Sequence, residues 1–239
     1  HMNGSDLINT ERISPFTGGS RYIQEQIFTP QQIFTLGALL SLLSIGLGIY
    51  ICSQTTWLLM PIGLVGVIIA WAYSSPPMQL MSRGIMGEIA IAMAWSLVVI
   101  GFATMHQGHL TEIAVYTGLS FGLMASNILL VNQIPDIKAD QISGKYTLAT
   151  QSSDQSLQLW FGASYGCAYL LQILGINNGA IPLSTAITLI AVPLFLFCSY
   201  SMRQALKERS KLKSLVLQNI LAVHLYAVLL CLGLAYTWV

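Results

Sequence analysis

Apolar positions gather into seven runs, at 31–52, 57–73, 87–105, 110–133, 156–176, 180–200 and 215–238, with polar breaks between them. A helix that crosses a bilayer needs about 20 mostly apolar residues, so each run predicts one membrane-spanning helix. The second run is short, and its continuation is sought in the turn at Tyr73-Ser74-Ser75. Pro30, Pro76-Pro77, Pro135, Asn177-Asn178-Gly179 and the charged stretch 203–213 mark the breaks. Small residues recur inside the runs, as at Gly37, Gly46, Gly48, Gly118 and Gly122, a pattern that suits close helix packing in lipid. The expected fold class is all-α, a polytopic transmembrane helical bundle.

The breaks alternate between two kinds. Those at 53–56, 106–109 and 177–179 are short and nearly uncharged, whereas 1–29, 74–86, 134–155 and 201–214 are longer and polar. With seven alternating helices, all the longer segments fall on one side. Every basic residue then falls there too: Arg12, Arg21, Arg83, Lys138, Lys145, Arg203, Lys207, Arg209, Lys211 and Lys213. The excess of Lys and Arg on one side makes that side cytoplasmic. The far side keeps one acid, Glu112. A wrong helix count would have split the basic residues between the two sides.

Composition agrees with a lipid setting. Hydrophobic residues make up 54% of the 239 and charged residues 8%, against about 25% charged in soluble domains. A net charge of +1 leaves no basic patch for nucleic acid. Cys52, Cys167, Cys198 and Cys231 lie far apart in or beside apolar runs, and read as small hydrophobes rather than a disulfide framework or a zinc site. Residues 1–29 hold no apolar stretch of the signal-peptide kind. His1, His106, His109 and His224 do not cluster with the acids and receive no catalytic role. Neither a nucleophile triad, a phosphate-binding Walker loop nor a dinucleotide fingerprint is present.

Three segments carry candidate chemistry. The first is Asn132-Gln133-Ile134-Pro135-Asp136-Ile137-Lys138-Ala139-Asp140, followed by Ser143-Gly144-Lys145-Tyr146-Thr147-Leu148. On one helix, Asn132, Asp136 and Asp140 would share a face, although Pro135 favours a first turn or a kink. Two carboxylates so placed repel unless a cation lies between them, and oxygen donors on one face suit Mg²⁺ with phosphate oxygens. Lys145 could reach the same phosphate. A solvated loop with scattered charges is the plainer alternative. The second segment is Pro15-Phe16-Thr17-Gly18-Gly19-Ser20-Arg21, where Gly-Gly frees the backbone to approach an anion and Ser20 and Arg21 can donate to it. The third is Tyr73-Ser74-Ser75-Pro76-Pro77, then Arg83-Gly84 and Gly87-Glu88. It reads equally as a Pro-rich turn with one interfacial arginine. Together the three segments bring acids for a metal and bases for phosphate to one end of a bundle, which points to a diphosphate carrying a hydrocarbon chain.

These residues resemble the UbiA superfamily of intramembrane prenyltransferases. Asn132-x3-Asp136-x3-Asp140-x3-Gly144-Lys145-x-Thr147-Leu148 is similar to its second aspartate motif. Tyr73-Ser74-x-Pro76-Pro77 with Arg83-Gly84 and Glu88 resembles the segment between its fourth and fifth helices, and Pro15 to Arg21 the stretch after its first aspartate motif. His1 to Asp6 resembles the tail of that first motif. The expectation follows that the chain is one domain lacking the first two of the family's nine helices, and inactive alone. The resemblance implies a metal set of Asp6, Asn132, Asp136 and Asp140, with Mg²⁺ as the ion. It implies diphosphate contacts from Ser20, Arg21, Tyr73, Arg83 and Lys145, and catalytic roles for Asp136, Asp140 and Lys145. The implied reaction moves a polyprenyl group from its diphosphate to an aromatic acceptor, with loss of diphosphate leaving an allylic cation. Gly-Gly-Ser-Arg and Gly-Lys-x-Thr-Leu look most like the branch that prenylates 1,4-dihydroxy-2-naphthoate in menaquinone synthesis. Transfer to 4-hydroxybenzoate or to a glycerol ether lipid lies within the same superfamily. The implied setting is a bacterial inner membrane with the site loops cytoplasmic. A transporter is the alternative of another class, but no Asp, Lys or Arg lies mid-span; a non-catalytic membrane scaffold is the third reading.

Overall fold

The structure is a computed structural model that describes residues 8–10, 13 and 15–236. Apolar helices form at all seven runs. They are α1 (Pro30–Gln54), α2 (Leu59–Ser74), α3 (Met86–Gln107), α4 (Glu112–Gln133), α7 (Asp154–Asn177), a helical stretch over Leu183–Lys207 and α9 (Leu212–Ala235). Among the described residues, six of these are long and apolar enough to cross a membrane. The exception is α2, whose 16 residues stop at Ser74. Two short helices, α5 (Ile137–Ile142) and α6 (Leu148–Gln151), lie between α4 and α7. The chain is a polytopic helical membrane bundle.

Local chemistry sets the ends of these helices. At α1, Pro30 occupies the first turn, where its missing N–H costs nothing, and Thr29 and Gln32 cap each other reciprocally. Gly108 takes φ 74° at the end of α3, and Thr111 caps α4 by accepting from the Ala114 N–H. The span predicted at 180–200 is not one uniform helix. Leu183–Ala191 winds as a 3₁₀ helix, and α8 (Val192–Lys207) follows with Pro193, which has no N–H to donate, in its first turn.

At the centre of the bundle lies α4, packed against α3, α7 and α9. Its approach to α3 depends on Gly122, where an added Cβ would lie 2.2 Å from the Ala92 carbonyl oxygen. By contrast, Gly37, Gly46 and Gly48 on α1 face open space. Only Cys52 of α1 and Ala72 of α2 are buried, so these two helices present apolar side chains outward, as lipid permits. The buried core gathers Met124, Leu130, Phe161, Tyr165, Phe195, Met202 and Tyr226 from α4, α7, α8 and α9.

The polar segments meet at one end. Arg83–Gly84 (β1) pairs in parallel with Tyr146–Thr147 (β2), joining the loop before α3 to the loop before α6. Asn9 reaches Asp136, and Arg203 near the end of α8 donates to Gln158 in the first turns of α7. The basic residues among those described therefore share one end of the bundle.

Candidate active site

The helix carrying Asn132 does not continue to Asp140. Pro135 has no N–H, so the α-helical ladder stops at Gln133. Bonds of i to i+3 spacing turn the chain: Ile134 donates to Val131, Asp136 to Gln133 and Ile137 to Ile134. Asp136 then stands at the N-cap position of α5 without a side-chain cap bond, and the Asp140 N–H returns to the Asp136 carbonyl at 2.9 Å. Thus the single-helix expectation is corrected, yet Asn132, Asp136 and Asp140 still line one cleft. Beyond α5, Gly144 adopts φ 72° and lets the Lys145 N–H bond back to the Asp140 carbonyl at 2.9 Å. That return places Lys145 Nζ 3.1 Å from Asp140 Oδ1.

The cleft measures about 230 Å³ and is walled by segments distant in sequence. Thr17, Gly18 and Gly19 come from the N-terminal loop, Tyr73 from α2, Asn132 and Gln133 from α4, and Asp136, Asp140, Lys145 and Thr147 from the segment after it. Gly18 and Gly19 have φ of 75° and 66°, and Gly18 and Thr17 hydrogen-bond to Asp136. Asn9 Nδ2 donates to Asp136 Oδ1 at 2.6 Å. Burial pushes the Asp136 carboxyl above its ordinary 3.8, with the neighbouring Asp140 charge adding to this; the Asn9, Gly18 and Thr17 hydrogen bonds act in the other direction.

The structure does not gather every candidate. Ser20 is exposed, and Arg21 lies just past the cleft wall, at φ 60° with a buried, unpartnered Nε. Arg83 is exposed and donates to the Pro77 carbonyl at 2.7 Å, outside the lining. Asp6 lies outside the described residues. The sequence drew no attention to Asn9, and gave Thr17, Gln133 and Thr147 no role beyond their place in the candidate segments. Each is an unremarkable polar residue whose importance comes only from a distant partner.

The donor set suits a hard cation. Asn132 Oδ1 is buried without a partner, and the two nearby carboxylates repel each other. Among the described residues, no group of three or more His, Cys, Asp or Glu side chains forms a metal cluster, so the set is two carboxylates and an amide.

A second cleft adjoins the first, with Leu129 and Asn132 lining both. It measures about 300 Å³ and is walled by Ile91, Trp95, Phe121, Ile128, Val223 and His224 among others. From Asn132 to Phe121 the wall of α4 descends eleven residues, about 16 Å at the helical rise, or half the hydrocarbon core. Instead of being enclosed in the bundle, His224 lies exposed on this wall, with Nδ1 2.7 Å from its own helix's Ile220 carbonyl.

This pairing of a polar cleft with an adjoining apolar one sits in a chain that matches the UbiA prenyltransferase family over residues 17–221. The chain belongs to the UbiA prenyltransferase family. Within this family it is similar to 1,4-dihydroxy-2-naphthoate octaprenyltransferases. That of Bacillus subtilis is 27% identical over 69% of this chain and 53% of the relative. That of Mycobacterium leprae is 26% identical over 75% and 60%, and that of Haemophilus influenzae 26% identical over 98% and 76%. The chain thus spans between half and two thirds of the first two relatives' length. No solved structure matches it.

Proposed function

We propose that this UbiA-family chain serves Mg²⁺-dependent transfer of a polyprenyl group from its diphosphate to an aromatic acceptor, with 1,4-dihydroxy-2-naphthoate favoured. The observation that carries the reading is the adjacency of two clefts that share Leu129 and Asn132 as wall residues, one lined by acids and a lysine, the other apolar and about half a bilayer deep. A ligand with a charged head and a hydrocarbon tail has complementary chemistry for both. The names of the bacterial relatives support the choice of acceptor.

In this reading Asp136, Asp140 and Asn132 would hold the cation, with Asp6 assigned to the same set by the motif alone, and the bound cation would supply positive charge beside the leaving diphosphate. Lys145 stabilises the negative charge that grows on the leaving oxygen as the allylic C–O bond breaks. For this it exchanges Asp140 for a phosphate oxygen. Backbone N–H groups of the Gly18-Gly19 loop orient the phosphates, with Ser20, Arg21 and Arg83 at the rim and Tyr73 on the wall. The apolar cleft holds the chain and keeps water from the allylic cation until a ring carbon of the acceptor bonds to it and sheds the proton or carboxylate it carried, the carboxylate leaving as CO2, with the bonding electrons returned to the ring. The site end faces the cytoplasm of a bacterial inner membrane, following the basic residues gathered there.

Membranes containing the full-length protein, given labelled prenyl diphosphate, Mg²⁺ and a panel of acceptors, test this directly. The expected product forms with 1,4-dihydroxy-2-naphthoate and needs the metal. Product with 4-hydroxybenzoate or a glycerol lipid alone would move the acceptor assignment. No product with any acceptor from folded protein would overturn the reading.

A further inference from the structure

Glu88 is a buried acid outside the cleft lining. It is the third residue of α3 and only 8% exposed. One carboxyl oxygen, Oε1, accepts from Gln133 Nε2 at 2.8 Å. The other, Oε2, is buried without a partner. An isolated buried carboxyl is costly, so its retention at a helix junction calls for a reason.

Its contacts supply one. Gln133 is itself 7% exposed and lines the polar cleft. While its amide donates to Glu88, its Oε1 accepts from the Ala149 N–H at 3.2 Å. Ala149 lies in α6, directly after Thr147, which lines the cleft and caps that helix. Through one side chain, Glu88 ties the start of α3 to the end of α4 and to the loop that carries Lys145. The β1–β2 pair ties the same two loops on their other side.

We propose that Glu88 is a positioning residue of the site, acting through Gln133 to hold the Lys145–Thr147 loop in register with Asn132 and Asp136. A carboxyl oxygen fixes which way the Gln133 amide faces, and only one orientation leaves its oxygen free for Ala149. Without Glu88, the Gln133 amide can rotate and the Ala149 N–H loses its acceptor. Lys145 is then free to drift from the leaving group, and sub-ångström to ångström displacements cost much of a preorganised site's rate. The kinetic part of this inference rests on the prenyl-transfer reading; the structural part does not.

The test compares Glu88→Ala and Glu88→Gln with the full-length wild type in membranes or detergent. Hydrogen exchange of the peptide spanning 145–151 reads the loop, and steady-state kinetics read the site. In Glu88→Ala the loop amides exchange faster and kcat falls at least about tenfold, with the KM for prenyl diphosphate and the melting temperature little changed. Glu88→Gln keeps an oxygen for Gln133 and restores both readouts. Gln133→Ala combined with Glu88→Ala costs no more than either change alone, because both cut one link. Unchanged exchange in Glu88→Ala, unchanged kcat, additive effects in the double variant or failure of Glu88→Gln to rescue would each overturn the proposal. Faster loop exchange in Glu88→Ala, alongside a folded wild type without any turnover, would instead overturn the transfer reading and leave the hold on the loop intact.

Discussion

Two groups of buried polar side chains in this bundle behave in opposite ways. Gln172, in the middle of α7, has every valence answered. It donates to the Thr185 carbonyl at 2.8 Å and to Thr188 Oγ1 at 2.9 Å, and accepts from the Tyr226 hydroxyl at 3.1 Å. The Tyr169 hydroxyl closes the group by donating to the Thr188 carbonyl. At the basic end, Asn132 Oδ1, Glu88 Oε2 and Arg21 Nε are all buried and unpartnered, beside two carboxylates that repel each other. In lipid a closed polar group is glue between helices. An open one carries a standing cost, and persists where a ligand completes it. Thr104 Oγ1, Asn127 Oδ1 and Gln218 Oε1 are also buried without a partner away from both clefts, so what marks the basic end is the gathering of such atoms beside two carboxylates.

Substitutions at the two places should therefore fail in different ways. The largest effect belongs to the open group. Asp136→Asn or Asp140→Asn in the full-length protein should lower prenyl transfer by about 10²-fold or more while the protein still folds, as read by turnover per folded molecule. Near-normal turnover by both variants would sink the metal assignment. In the closed group, Gln172→Leu strands the Tyr226 hydroxyl and the Thr188 hydroxyl. It should cost about 1 kcal/mol of stability in detergent unfolding, with turnover per folded molecule unchanged. A loss of turnover greater than the loss of folded protein would erase the distinction.

The smallest effect is a pH dependence at Asp136. Burial raises its carboxyl above 3.8 in the folded protein. A carboxyl raised on folding stabilises most below its unfolded pKa, and loses that contribution as pH rises through its folded pKa. Metal-free wild type should thus lose stability relative to Asp136→Asn as pH rises from about 4 towards neutrality. Added Mg²⁺ should cancel the loss. Parallel melting curves for the two proteins across that range would contradict it.

Much of the fold was legible because lipid makes hydropathy a local signal. The seven apolar runs and the gathering of basic residues at one end could be read without any long-range contact. What escaped was non-local. Hydropathy does not separate a 3₁₀ turn from an α-helical one, so the change of winding at Pro193 was missed. The Asn132-x3-Asp136-x3-Asp140 spacing put three side chains together by a geometry the chain does not use. Pro135 breaks the helix, and the i to i+3 turn that replaces it happens to keep them together. Asn9 and Glu88 gave no signal of their roles, since each depends on a partner far along the chain, Asp136 and Gln133. The sequence did not show that Arg83 would stand outside the cleft lining, with its backbone in β1 and its side chain on the Pro77 carbonyl.

The most direct test of the account is the binding of labelled prenyl diphosphate to the full-length protein with and without Mg²⁺, in wild type and in the Asp136→Asn, Asp140→Asn double variant. The account expects binding that needs the metal in the wild type and is lost in the double variant. Equal binding by both proteins, with the same response to Mg²⁺, would show that the diphosphate is held elsewhere.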